Sequence, residues 1–346
     1  MLLTVLSAIF VFGLIVLVHE FGHFITAKMT GMRVDEFAIG FGPKILSFKR
    51  GETVYSIRAI PLGGFNDIAG MDPTNNEAGE RGYCEKPVLS RMIVILAGSV
   101  MNFILPIFLF FSVFFFVGVT EPAPGPLIGA VVEGNPADIA GLKAGDKISA
   151  VNGTAVNSWN EFIVIMEKAQ VEQPLKITYE RDGQAAETEL TPIAEKNSGR
   201  AIIGVQTALV TIYPGLFESI QLAIKRVIDV ISFMISALID IFQSPSSAEL
   251  AGPLGIAQMT GQVAQKGFAA LLNFAALLSL NLGIINLLPL PALDGGHFVT
   301  LALEAVRGKP LSPKALIYTQ KVGVVLLLLL MIFATKNDIV RIFLSD

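Results

Sequence analysis

The stretch Ile15–Ala27, IVLVHEFGHFITA, decides what kind of molecule this is. His19 and His23 stand four residues apart, so on a helix their imidazoles project from one face, and Glu20 lies beside them, in reach of a water held there. This is the HExxH pattern of zinc proteases. No residue from Met1 to Val18 carries a charged side chain, so the three polar groups lie near the end of an apolar helix long enough to cross a bilayer. Ionisable groups at such depth are costly and mark function. A chance cluster at a helix end would leave the four-residue spacing unexplained. A cleaved signal peptide would need a basic start and a small-residue cleavage site, and this segment has neither.

Composition agrees with a chain that lives in lipid. Of 346 residues 53% are hydrophobic and only 16% charged, with a mean hydropathy of +0.64, which reads as a polytopic membrane protein. The net charge of -4, with no glycine-rich phosphate loop and no basic-aromatic stripe, argues against nucleic acid as a partner. Cys84 is the single cysteine, so an intramolecular disulfide and a cysteine zinc cluster are both excluded. A metal would have to be held by His, Asp or Glu, and the histidines are His19, His23 and His297.

Working outward, the first transmembrane helix is expected over residues 1–28. Residues 29–91 turn mixed and read as a membrane-associated hairpin and loop region, with strands at 34–41, 44–48 and 53–60 and a polar loop at 67–86. Gly40, Gly42, Gly63 and Gly64 let this backbone bend or approach another chain closely. Gly63 and Gly64 are therefore candidates for contact with substrate, the alternative being that they only shape turns. Residues 92–120 carry no charge and form a second span. Within it Gly98 and Asn102 make a small-xxx-polar pair suited to close helix contact, and Asn102 is a candidate site residue beyond that packing role.

Residues 121–212 have soluble composition and a strand-helix-strand order ending in two further strands. Here GLKAGDKISAVNG resembles a PDZ domain, which takes an extended peptide or a chain end by strand addition. Residues 213–266 read as an amphipathic interfacial helix and a linker, because Glu218, Lys225, Arg226, Asp229 and Asp240 interrupt an otherwise apolar run. Residues 267–297 form a third span that cannot stay helical through Pro289 and Pro291, and broken backbone at membrane depth is tolerated where it lines a cavity. Residues 315–335 form the fourth span. The fold expected is a polytopic α-helical membrane protein with four transmembrane helices, a small membrane-associated β-sheet and an inserted α+β PDZ-like domain.

A catalytic zinc usually takes three protein ligands and keeps an open position. Asp294 is the only acid between Gly267 and His297, delivered by the bend, and is the expected third ligand. His297 is set aside, since the ligand set is complete without it.

HEFGH, the GFGP and PLGGF stretches, a single PDZ-like insert, GPLGIAQMTGQ at Gly252–Gln262 and NLLPLPALDGG at Asn286–Gly296 together resemble the site-2 protease family of intramembrane zinc metalloproteases. Within it the bacterial branch that cleaves anti-sigma factors and remnant signal peptides is the nearer likeness, although its enterobacterial members carry two PDZ domains. The resemblance implies Zn2+ bound by His19, His23 and Asp294, with Glu20 as general base and then acid. It also implies that Asn286 holds the substrate backbone or the oxyanion. Partners would be single-span membrane proteins, the lipid bilayer, and a peptide or chain end at the PDZ-like domain. A zinc transporter or an inactive PDZ scaffold are the rival classes, yet neither needs Glu20.

Nine Lys and Arg lie between Lys28 and Arg91 and four between Arg307 and Lys321, with none before His19. Basic loops stay cytoplasmic. A bacterial inner-membrane protein is expected, its PDZ-like domain and termini outside the cytoplasm and its active site toward the cytoplasmic side. A fifth crossing at 216–242 would separate Asp294 from the histidines.

Overall fold

A computed structural model describes residues 1–71, 79–195, 199–243 and 252–343. The chain divides into two compact units, Met1–Val117 with Gly215–Asp346, and the insert Gly118–Pro214.

Among the described residues, four helices of the first unit are long and apolar enough to cross a membrane: α1 (Leu2–Met29), α2 (Val88–Phe116), α7 (Phe268–Leu287) and α9 (Pro313–Phe343). Their outward faces carry exposed residues such as Phe108, Leu329 and Phe333, a pattern suited to lipid. The inward faces of α1, α2 and α7 build a shared core in which Val11, Ile15, Phe110, Ala275 and Leu280 are buried. The helix α2 starts at Val88, four residues before the charge-free run, and ends at Phe116, short of Thr120. Its first turns admit Arg91 because the guanidinium is satisfied: it donates to both carboxylate oxygens of Glu304 at 3.1 and 2.6 Å and to the Lys86 carbonyl at 3.0 Å. Beyond Phe116 the chain turns at Gly118, φ 89°, and becomes a strand.

Between α1 and α2 lie two long strands, β1 (Val34–Arg50) and β2 (Thr53–Ile68). Their register makes four strands of them. Ala38 pairs with Ser56 on one side and Phe65 on the other, while Phe48 pairs with Tyr55. The order across the sheet is therefore 44–50, 53–58, 34–39, 64–68. Gly40 and Gly42, at φ 86° and 84°, and Gly63, at φ 92°, take the two sharp bends that fold each strand back, a conformation L side chains disfavour. The expected strands at 34–41, 44–48 and 53–60 are all present. The fourth, 64–68, escaped notice because the Pro-Leu-Gly-Gly bend hides its alternation. The polar loop expected at 67–86 is partly outside the described residues. Its last part is anchored, with buried Tyr83 donating its backbone N–H to the Ala69 carbonyl at 2.8 Å.

After the insert, α5 (Leu216–Gln243) buries Ala223, Val227 and Val230 on one face against the α2 and α7 core. The segment 252–265, expected as linker, contains a helix, α6 (Pro253–Gln265). Its N-terminus is held by the buried Asp338 of α9, whose carboxylate accepts the N–H groups of Gly252 at 3.1 Å and Gly255 at 2.7 Å. A carboxylate there satisfies donors that have no partner inside the helix.

The helix α7 ends at Leu287, and the chain turns through Ala292 at φ 72° before α8 (Asp294–Arg307) begins with the aspartate. Gly295 and Gly296 permit so tight a return, since a Cβ would lie 2.3 Å from the Leu288 carbonyl at the first and 2.3 Å from that of Leu290 at the second.

In the insert, β3 (Val119–Pro122) pairs with β12 (Leu209–Ile212), so the chain enters and leaves side by side. Between them run β4 (Ile128–Val131), α3 (Pro136–Ile139), β5 (Lys147–Val151), β6 (Thr154–Ala155), α4 (Trp159–Lys168), β7 (Leu175–Arg181) and β8 (Gln184–Leu190). The short strands β9 (Ile193–Ala194), β10 (Ala201–Ile202) and β11 (Val205–Thr207) follow. The main sheet has the order β6-β5-β7-β8 and covers a core of Ile148, Val151, Phe162 and Ile177, with α4 capped by the Ser158 hydroxyl.

Candidate active site

His19, Glu20 and His23 lie in the second half of α1, and Asp294 opens α8. The structure brings them together across the bundle. His19 Nε2 is 3.2 Å from His23 Nε2, and Asp294 Oδ2 lies 3.5 Å from the first and 3.6 Å from the second. Three ligand atoms each about 2.0–2.2 Å from a tetrahedral metal stand roughly 3.3–3.6 Å apart, so this triangle has the size such an ion needs. Among the described residues it is the one group of three His, Cys, Asp or Glu side chains that could hold a metal.

The helix α2 contributes nothing to the triangle itself yet touches every corner. His23 Nδ1 donates to the Val94 carbonyl at 2.7 Å, which leaves Nε2 bare and facing inward. Ser99 donates its hydroxyl to Asp294 Oδ2 at 3.2 Å, and the side chain of Asn102 faces His19 Nδ1 at 3.1 Å. Ser99 and Asn102 are both fully buried. Asn102, expected only as a candidate, thus reaches a histidine, and no contact to a substrate position is needed to explain it. Gly98 makes room for the imidazoles: a Cβ there would lie 2.2 Å from His23 Nε2 and 2.7 Å from His19 Cε1.

On its other side Glu20 meets the sheet. Gly64 lies over it so closely that a Cβ would be 2.9 Å from Glu20 Cγ. Gly63 does not meet Glu20; a Cβ there would strike the Phe41 ring at 2.3 Å. The strand bearing Gly64, 64–68, is an outer strand of the sheet, with one edge unpaired among the described residues. Asn286 sits half-buried in the last turn of α7. His297 is not part of the triangle and lines a cavity of about 560 Å³ together with Asn66, Tyr83, Arg91, Glu304 and Gln320.

Sequence reasoning missed Ser99 and Asn66. Each is tied to the site by a contact far along the chain, of 195 residues for Ser99 and 46 for Asn66, which no local pattern announces.

A family model described as peptidase family M50 matches residues 7–330. The chain belongs to peptidase family M50. It is 33% identical over 421 aligned positions to the Regulator of sigma-W protease RasP of Bacillus subtilis (strain 168), covering 99% of both chains. That alignment is longer than this chain, so the relative carries insertions. It is 34% identical over 342 positions to a putative zinc metalloprotease of Fusobacterium nucleatum, covering 99% of this chain and 100% of the other. A solved PDZ domain of an SdrC-like protein from Listeria monocytogenes, 27% identical, covers 26% of this chain and 93% of its own, with a TM-score of 0.23. This M50 peptidase is a bacterial membrane protein of the site-2 protease type and a metallopeptidase with zinc as its cofactor. The donor set fits that metal, since two imidazoles and a carboxylate are a usual ligand set of catalytic zinc.

Proposed function

We propose that this M50 peptidase hydrolyses peptide bonds within or near the transmembrane segments of single-span membrane proteins, with His19, His23 and Asp294 as its zinc ligands and Glu20 as general base. The observation that carries the reading is the triangle of Nε2, Nε2 and Oδ2 atoms with a glutamate on the next residue of the same helix. When bound, zinc supplies Lewis acidity toward the scissile carbonyl and acidifies a water. Glu20 takes the proton of the attacking water and passes it to the leaving amine. Asn286, at the first position of the NxxPxPxLDG pattern, holds the substrate backbone or the oxyanion.

A helical substrate hides its scissile carbonyl in its own hydrogen bonds, so it must unwind before it is cut. The outer strand 64–68, with Gly64 above Glu20, offers a free edge to which the unwound segment can add. Gly63 shapes the bend that brings this strand into place. The PDZ-like insert filters substrates by taking a peptide or chain end. The name of the Bacillus subtilis relative, a regulator of sigma-W, favours anti-sigma factors among the substrates, with signal peptide remnants beside them. The basic loops favour an active site toward the cytoplasm and an insert outside it.

The test is cleavage of a membrane-embedded model substrate by purified protein, wild type against Glu20→Gln, with zinc measured in both. The reading expects about one zinc per chain in each and cleavage by the wild type alone. Zinc without cleavage of any of several single-span substrates would favour a transporter or scaffold, and absence of zinc from both proteins would overturn the ligand assignment.

A further inference from the structure

Glu20 is not left to find its own orientation. Asn66, on the outer strand 64–68, points its amide nitrogen at two oxygens of this one residue: Glu20 Oε2 at 2.7 Å and the Glu20 backbone carbonyl at 2.8 Å. Both are acceptors, so the nitrogen and not the oxygen of the amide must face them, and both of its hydrogens are committed. The carboxylate is thereby tied to its own main chain through a second residue. Gly64 and Val16 close the remaining side: a Cβ at Gly64 would lie 2.9 Å from Glu20 Cγ and 3.2 Å from Val16 Cγ1. No other side chain donates to the Glu20 carboxylate among the described residues. Asn66 Oδ1 is buried and has no partner there either, so packing a satisfied amide does not account for the residue.

We infer that Asn66 is a positioning residue for the general base, holding the Glu20 carboxylate in the rotamer from which it can reach the attacking water. A base must sit within hydrogen-bond reach of the proton it removes, and a carboxylate free to rotate at the end of two methylenes spends much of its time elsewhere. The donor comes from the sheet and not from the helix bundle, so the strand proposed to receive substrate also sets the base. This inference rests on Glu20 being that base.

The experiment uses the full chain in nanodiscs with a membrane-embedded model substrate, comparing wild type, Asn66→Ala and Asn66→Asp, with zinc per chain and thermal unfolding measured alongside. Zinc and unfolding temperature should match the wild type, since Asn66 touches no prospective ligand. In Asn66→Ala, kcat should fall roughly tenfold to a hundredfold at little-changed KM, the usual cost of removing an outer hydrogen-bond partner. Asn66→Asp should be slower still, although it has nearly the same shape, because it sets an acceptor against a carboxylate. A packing role would give the opposite order. Wild-type kcat in Asn66→Asp, a rise in KM alone, or loss of zinc and stability in step with activity would each overturn the inference. If Glu20→Gln cuts as fast as wild type, the base assignment fails, and this inference fails with it.

Discussion

The side chain of Asn102 meets the Nδ1 atom of His19 at 3.1 Å in the buried interface between α2 and α1. His19 can offer Nε2 to a metal only with its proton on Nδ1, and a proton there needs an acceptor. Asn102 Oδ1, which has no hydrogen-bond partner in its present place, becomes that acceptor when the amide turns over. Asn102→Ala should therefore weaken zinc binding roughly tenfold to a hundredfold. Asn102→Asp, which keeps an acceptor, should retain more of it. Competition with a chelator of known affinity measures both.

Gly98→Ala should act on the same centre by crowding. The added methyl would stand 2.2 Å from His23 Nε2, well inside contact distance, and the backbone of α2 is held by its neighbours. Overpacking of this kind costs about 1–3 kcal/mol when it can be absorbed. Here the imidazole is the softer element, so zinc content should drop before the unfolding temperature does. The control is Gly22→Ala, whose Cβ would meet the Ala97 carbonyl at 2.4 Å and should lower stability by parting α1 from α2.

The insert should carry a pH dependence of its own. Burial alone would raise the Asp146 carboxyl, but the Arg181 guanidinium, with bonds of 2.7 Å to both oxygens, and the Lys143 backbone N–H hold it below its ordinary value near 3.8. The folded value being the lower, the stabilisation is complete above about pH 5, well over the unfolded value, and fades as pH falls through the folded pKa. Asp146→Asn should cost about 2–3 kcal/mol at neutral pH, the scale of hydrogen bonds to a buried charge. It should also remove that acid limb. Hydrogen exchange of β5 and β7 in the full chain, followed from pH 7 to pH 2.5, reads both effects.

What the sequence disclosed was what one stretch of helix or one isolated charge can disclose. His19, Glu20 and His23 announce themselves because a four-residue spacing is a geometric statement about one helix face. Asp294 does so because a lone carboxylate in an apolar run demands a reason. The four crossings followed from length and charge. The strand 64–68 was hidden by its own glycines, which bend the chain where alternation would have been sought. Arg91 misled the start of α2, since the partner that makes it tolerable, Glu304, is 213 residues away. Ser99 and Asn66 look like any polar residue until the fold delivers their partners. For Asn66 the clue available was a carboxamide following Gly63, Gly64 and Phe65, where an apolar residue would have continued the strand.

The triangle is shared between α1 and α8, with α2 bracing both. A polypeptide emerging into the membrane therefore holds its two histidines and its glutamate long before the aspartate exists. Until α7 has turned back at Ala292 and delivered α8, the young chain has two corners of a three-cornered site. For the proposed site the order of synthesis thus acts as a safety catch, since its third corner arrives only after α1 to α7 have been made.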